Sequence, residues 1–242
     1  MLRIIKNLGV LFLIVCLTAC SSSEEADTEP VTCAAGFPMN AIYKSFYTTA
    51  ATYNFQISGN LHGITITGAG SQVNPVASVG NFTGLNGVVS GYQQTVTATG
   101  SYTASLNGNS ITQPLSTSST DWVSTSYVAL GTMSSSDYVV ATSAPPLPTV
   151  AHEGETGIVY QAKVYSDNTL SNQTGTKIET YALQADSPNT ALLVMTSSYA
   201  DLTGTVTETD VQQFRITPEG NYMPVQTTVT DFVNQTVFTF TY

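Results

Sequence analysis

Thr95-Val96-Thr97-Ala98-Thr99-Gly100-Ser101-Tyr102-Thr103-Ala104-Ser105-Leu106 decides the fold, together with the Asn107-Gly108-Asn109 and Ile111-Thr112-Gln113-Pro114-Leu115 that follow it. Hydroxyl side chains occupy every second place in the first run, and Val96, Ala98, Tyr102, Ala104 and Leu106 fall between them. Successive side chains of a strand point to opposite faces, so this alternation describes a strand with one wetted and one covered face. Asn-Gly supplies the positive φ angles of a tight hairpin, and residues 111–115 then read as the returning strand.

The same chemistry extends in both directions. Tyr53-Asn54-Phe55-Gln56-Ile57-Ser58 and Ile64-Thr65-Ile66-Thr67 alternate as well, with Gly59-Asn60 and Gly68-Ala69-Gly70-Ser71 as turns. Further on, residues 157–165, 177–184, 190–197, 205–217, 222–230 and 237–242 are strand-length runs rich in β-branched and aromatic residues. Asp167-Asn168, Ser187-Pro188-Asn189 and Pro218-Glu219-Gly220-Asn221 separate them. The expected class is all-β, with mostly antiparallel meander sheets forming a β-sandwich or an open curved barrel. At most one short helix is expected, over Pro38-Met39-Asn40-Ala41-Ile42-Tyr43-Lys44-Ser45-Phe46, where Ile42, Tyr43 and Phe46 stand at helical spacing. Pro145, Pro146 and Pro148 break the pattern, so residues 144–155 read as a linker or a long crossing between a first β module, 37–143, and a second, 156–242. No internal repeat relates the halves, and they fit two β subdomains or one continuous sheet.

At the N-terminus, Arg3 and Lys6 precede a run from Leu8 to Leu17 that is apolar but too short for a spanning helix, which needs about 20 such residues. It reads as a secretory signal, residues 1–19. Leu17-Thr18-Ala19-Cys20 resembles the lipobox of bacterial lipoproteins. That resemblance covers the signal alone, and it implies cleavage before Cys20 and acyl chains on that residue. Each buried acyl CH₂ contributes about 0.8 kcal/mol, so two or three chains give a stable membrane anchor. Ser21 resembles the class released to the outer membrane. Residues 20–36, with Glu24, Glu25, Asp27 and Glu29, are too polar to fold alone and read as an acidic disordered tether.

Loss of Arg3 and Lys6 with the signal leaves Lys44, Lys163, Lys177 and Arg215 against sixteen acidic residues, taking the formal net charge from −10 to −12. Four scattered cations give no stripe for phosphate backbones, so no nucleic-acid partner is expected. Nor can they hold anionic lipid heads, which leaves the membrane to be reached through Cys20. Charged residues are 9% of the chain, and hydroxyls and amides carry the polarity instead. Cys16 departs with the signal and Cys20 is acylated, so Cys33 has no intramolecular partner for a disulfide.

Catalytic equipment is sparse. His62 and His152 are the only histidines, with no metal-ligand spacing and no nucleophile elbow near them. His152-Glu153-Gly154-Glu155 reads as solvated loop charge, and Gly68-Ala69-Gly70-Ser71 lacks both the Walker and the dinucleotide pattern. Asp186, Asp201, Glu208 and Asp210 could supply a glycosidase pair, but most stand beside turns, where carboxylates serve backbone hydrogen bonds. Asn81, Asn172 and Asn234 open glycosylation sequons, a reading that the bacterial lipobox disfavours. Abundant Tyr and the single Trp122 could contact a glycan or a protein, or simply fill a core. Phe238, Phe240 and Tyr242 share a strand face and resemble the closing strand of outer-membrane barrels; the even scatter of Thr and Gln in earlier strands opposes that reading.

The expectation is therefore an envelope lipoprotein anchored through Cys20, most consistent with the outer membrane, acting as a non-enzymatic binding or structural module. No cofactor and no metal are expected, and its partner could be an envelope protein, glycan or lipid. Two alternatives stand beside it: a carrier holding a hydrophobic ligand such as lipid in a curved sheet, and a hydrolase of envelope polysaccharide.

Overall fold

The computed structural model describes residues 36–242. The signal, Cys20, Cys33 and all of the tether but Gly36 lie outside the described residues. Among the described residues one helix, α1 (Met39–Thr48), precedes thirteen strands: β1 (Ala51–Leu61), β2 (Ile64–Asn74), β3 (Ser78–Gly84), β4 (Gly87–Leu106), β5 (Asn109–Val123), β6 (Ala129–Met133), β7 (Tyr138–Ser143), β8 (Thr156–Tyr165), β9 (Gln173–Ser187), β10 (Thr190–Asp201), β11 (Val206–Ile216), β12 (Tyr222–Asp231) and β13 (Thr236–Thr241). The 95–106 alternation is the second part of β4, and Asn107 and Gly108 make the hairpin at φ +50° and +81°.

All the strands belong to one antiparallel sheet, and two non-local pairings close it. β1 lies beside β13 from Gln56↔Thr241 to Leu61↔Thr236, and β2 lies beside β4 from Thr65↔Ser105 to Val73↔Thr97. The result is a closed twelve-strand barrel from which β3 is left over, neither a sandwich nor an open sheet. Residues 144–155 are a crossing rather than a break, because β7 pairs with β8 on either side of them (Val139↔Val164). The 37–143 and 156–242 stretches thus contribute strands to a single barrel.

The alternation sorts side chains between its two faces. Outside, a row of directly paired residues runs Thr112, Thr103, Thr67, Ser58, Thr239 and Thr228 across six neighbouring strands. Inside, Phe55, Ile57 and Ile66 are buried against Tyr102, Leu115, Phe238 and Phe240. Phe240 and Tyr242 meet the Phe55 ring at 5.4 and 6.0 Å, so the final aromatic face points inward. A barrel that spans lipid carries its apolar band outside, the reverse of this arrangement.

Helix α1 lays one face, Met39, Ile42, Tyr43 and Tyr47, against the inner side of the sheet and leaves Asn40, Ala41, Lys44 and Thr48 exposed. Phe37 pairs with Ala151 as an isolated bridge and fixes the approach of the chain, and Pro38 stands at the helix start, where its missing N–H costs nothing. Ile42 and Met39 are buried among Val159, Leu183, Leu193 and Ile216. Phe46 packs edge-on to Tyr222 at 4.4 Å. Burial of each such side chain is worth about 1.5–3 kcal/mol, more than a ten-residue helix gains from its own propensity. The amide of buried Gln94 donates to the Phe46 and Pro75 carbonyl oxygens at 2.8 and 2.6 Å, pinning the far end of α1 to the wall.

The β3–β4 hairpin folds over the outside of the wall as an arm. Trp122 and Val123 on β5, and Tyr138, Val139 and Val140 on β7, divide between the inner core and this outer cluster by alternation. Phe82 of β3 stacks on Tyr138 at 5.4 Å, and Trp122 Nε1 donates to Gln93 Oε1 at 3.2 Å. Gly131 permits the close approach, since a Cβ there would enter the Phe82 ring and the Val139 carbonyl.

Candidate functional site: a charged cluster inside the barrel

Strand alternation puts two charged residues on the inner face of β9. Lys177 and Glu179 have the parity of Tyr181 and Leu183, which belong to the core around α1. Pairing brings the neighbours into line: Glu179 stands between Tyr160 and Ser197, Lys177 between Ala162 and Tyr199, and Ser197 opposite Asp210. Asp121 enters from β5, opposite Gln94 and Thr132.

Lys177 Nζ lies 3.1 Å from Glu179 Oε2, with side-chain exposures of 7% and 13%. The ammonium also sits 5.1 Å above both the Tyr160 and the Tyr199 rings, whose faces attract a cation. Ser197 donates its hydroxyl proton to Glu179 Oε2 at 3.0 Å. Burial opposes the Lys177 charge, but the oxygens of Tyr160, Tyr199 and Glu179 outweigh it and hold the pKa well above the ordinary lysine value. Burial pushes the Tyr199 phenol up to about 12, with Lys177 working against it.

The carboxylates outnumber the cation. Asp210 is pushed up to about 6, first by burial and then by Glu179, with Lys177 pulling the other way. Its Oδ1 is buried without a hydrogen-bond partner among the described residues. Asp121 is also raised, chiefly by burial, although Thr132 donates to it at 2.8 Å. One ammonium shared among several inward carboxylates, with two phenols above and below it, can hold protons and fix the wall. The enclosed void beside α1 is about 10 Å³ and is lined by Met39, Tyr43, Leu147, Val159, Tyr181, Leu193 and Met195. That is about the space one water needs.

The residues singled out from sequence disperse. His62 is exposed at the β1–β2 turn, and His152 is exposed in the 144–155 crossing, so the two histidines do not meet. Asp186 is bound by Arg215 at 2.7 Å on the surface. Asp201 accepts from the Thr203 and Thr205 amides at 2.8 and 3.0 Å at the β10–β11 turn, the role expected of it. Asn234 is buried and donates to Asp231 at 2.7 Å. Of the four carboxylates, Asp210 reaches the interior cluster, and Glu208 stands opposite Tyr199 at its margin. Lys177, Glu179, Asp121, Tyr160 and Tyr199 were missed. The available signal was parity: Gly175, Lys177, Glu179, Tyr181 and Leu183 alternate as one face, so the two charges belonged with the core. Cys20 lies outside the described residues.

Outside the barrel, a shallow open depression lies over Gly70 and Gly100 and is lined by Asn54, Gln56, Ser71 and Thr99. These uncharged groups suit contact by hydrogen bonding. Among the described residues, no group of three or more His, Cys, Asp or Glu side chains is placed to hold a metal ion.

No family model and no curated protein matches the chain. Among solved structures it is similar to a DUF1329 family protein from Desulfovibrio piger ATCC 29098, at 10% identity and a TM-score of 0.33, over 85% of this chain and 91% of that one.

Proposed function

We propose that the chain is an envelope lipoprotein, held to the outer membrane by acyl chains on Cys20, whose barrel is a non-enzymatic binding or structural module that works through its outer surface. The observation that carries this reading is the core that α1 makes with the inner face of the sheet: Met39, Ile42, Tyr43 and Tyr47 are buried there, and the enclosed void beside the helix, about 10 Å³, admits no acyl chain. The outer rows of Thr, Ser, Asn and Gln are the surface left for recognition. Catalysis has little support, because Glu179 and Asp121 are engaged with Lys177, Ser197 and Thr132, which leaves Asp210 without a second free carboxylate across a cleft. No cofactor enters this account.

Organic extraction of the protein purified from membranes tests the reading. The expected result is no stoichiometric lipid beyond the covalent chains. One lipid released per chain without breaking a covalent bond would instead support a carrier in which α1 yields the lumen.

A further inference from the structure

The β3–β4 arm presents a strand edge that no strand among the described residues pairs. The two-residue turn at Leu85 and Asn86 makes Gly84↔Gly87 a hydrogen-bonded pair, so Ser78, Gly80, Phe82 and Gly84 direct their amides toward β4. Val79, Asn81 and Thr83 therefore direct theirs to the free side. Tyr138 closes the Thr83 position: its hydroxyl accepts from Thr83 N at 3.1 Å and donates to Thr83 O at 3.0 Å. The N–H and C=O groups of Val79 and Asn81 have no such partner among the described residues.

Side chains over this edge are apolar and open. Val79 and Val88 share one face of the arm through the pairing Thr83↔Val88, and they are 73% and 66% exposed. Residues 45–120 contain no Asp, Glu, Lys or Arg, although the chain carries a net charge of −10. Two copies of so acidic a protein repel each other except where they meet on an uncharged face. β5 has a longer one-sided edge, since β6 joins it only from Thr120 to Val123, but Pro114 within it cannot donate and blunts it.

We infer that the open β3 edge is a docking surface for a second copy of this chain, the two β3 strands pairing antiparallel about a two-fold axis through Gly80. In that register Val79 of one copy faces Asn81 of the other, and both open positions on each side are used. An isologous contact of this kind continues the arm into a four-stranded ribbon, with Val79 and Val88 of both copies on one face. The contact is small, and anchoring both copies on one membrane would raise their effective concentration. The inference extends the reading that the outer surface does the binding, but its test needs no acyl chain.

The test is sedimentation equilibrium of the mature chain carrying Cys20→Ala, under reductant so that Cys33 cannot link copies, at up to about 100 μM, where interfaces of this size are populated. A reversible monomer–dimer equilibrium is expected. Val79→Lys, which brings two cations to the shared edge, should raise the dissociation constant at least about tenfold. Asn81→Pro, which removes one donor from each copy, should weaken association as well. Trp122 lies beneath the arm, and unchanged emission from it shows that a variant still holds the arm on the wall. A monomer throughout that range, or a dimer indifferent to Val79→Lys with Trp122 unchanged, would overturn the inference while leaving the anchor and the core around α1 untouched.

Discussion

Replacing Lys177 by Met keeps most of the buried stem and removes the ammonium that Glu179, Tyr160 and Tyr199 surround. Glu179 would then keep one neutral donor, Ser197, for a carboxylate whose side chain is 13% exposed. Removing one partner of a buried pair costs about 3–5 kcal/mol, because the other charge is stranded, and the slight exposure of Glu179 argues for the lower end. Urea unfolding followed by Trp122 emission reads this directly; at a slope of about 2–3 kcal/mol per molar, the midpoint should fall by about 1 M. Adding Glu179→Gln to Lys177→Met removes the stranded charge and should restore most of the loss, a coupling of about 2 kcal/mol in the double-mutant cycle. A Lys177→Met protein within about 1 kcal/mol of wild type, or a cycle without coupling, would refute the assignment of this pair as the neutralised centre of the barrel.

Asp210 predicts an opposite pH dependence from that of an ordinary salt-bridged carboxylate. Its folded pKa of about 6 lies above the unfolded value near 4, so the folded state binds more protons between these limits, and stability falls as pH rises through the window. Asp210→Asn should therefore stabilise the protein at pH 7–8 by on the order of 2 kcal/mol and change little at pH 4, as read by denaturation at the two pH values. Ile42→Ala, at a side chain with no exposure in the centre of α1, should cost about 2–5 kcal/mol in the same assay, and a loss below about 1 kcal/mol would show that α1 does not pack on the sheet as part of the core. Tyr138→Phe deletes both hydrogen bonds to Thr83, and hydrogen exchange at Thr83 should quicken by roughly tenfold, in line with a net worth of about 1 kcal/mol per bond.

Local pattern carried much of this fold. Alternation and Asn107-Gly108 locate β4, its hairpin and β5, and the spacing of Ile42, Tyr43 and Phe46 locates α1. Closure was not legible, because it depends on residues far apart in the chain: Leu61 meets Thr236, and no local rule relates them. For the same reason the sequence could not separate a sandwich from a barrel, or show which strands the apolar face of α1 would cover. Phe238 and Phe240 were readable as one face, expected to pack inward rather than to face lipid, but their partner Phe55 across the closing pair was not. The interior cluster escaped because a lone Lys-x-Glu in a strand ordinarily marks the wet side. Only the flanking Tyr181 and Leu183 say otherwise, and Asp121 and Asp210 join them through pairing that the sequence does not display.

The account as a whole hangs a barrel, with α1 packed on its inner face, from an acylated Cys20, and intact-mass measurement of the protein purified from membranes, beside a Cys20→Ala form, tests that most directly. The account predicts a wild-type chain that begins at Cys20, carries the mass of the acyl chains and stays with the membrane fraction, while the variant lacks that mass and is released. An unmodified Cys20 in a protein that still fractionates with membranes would contradict it, and would require the barrel wall itself to make the attachment.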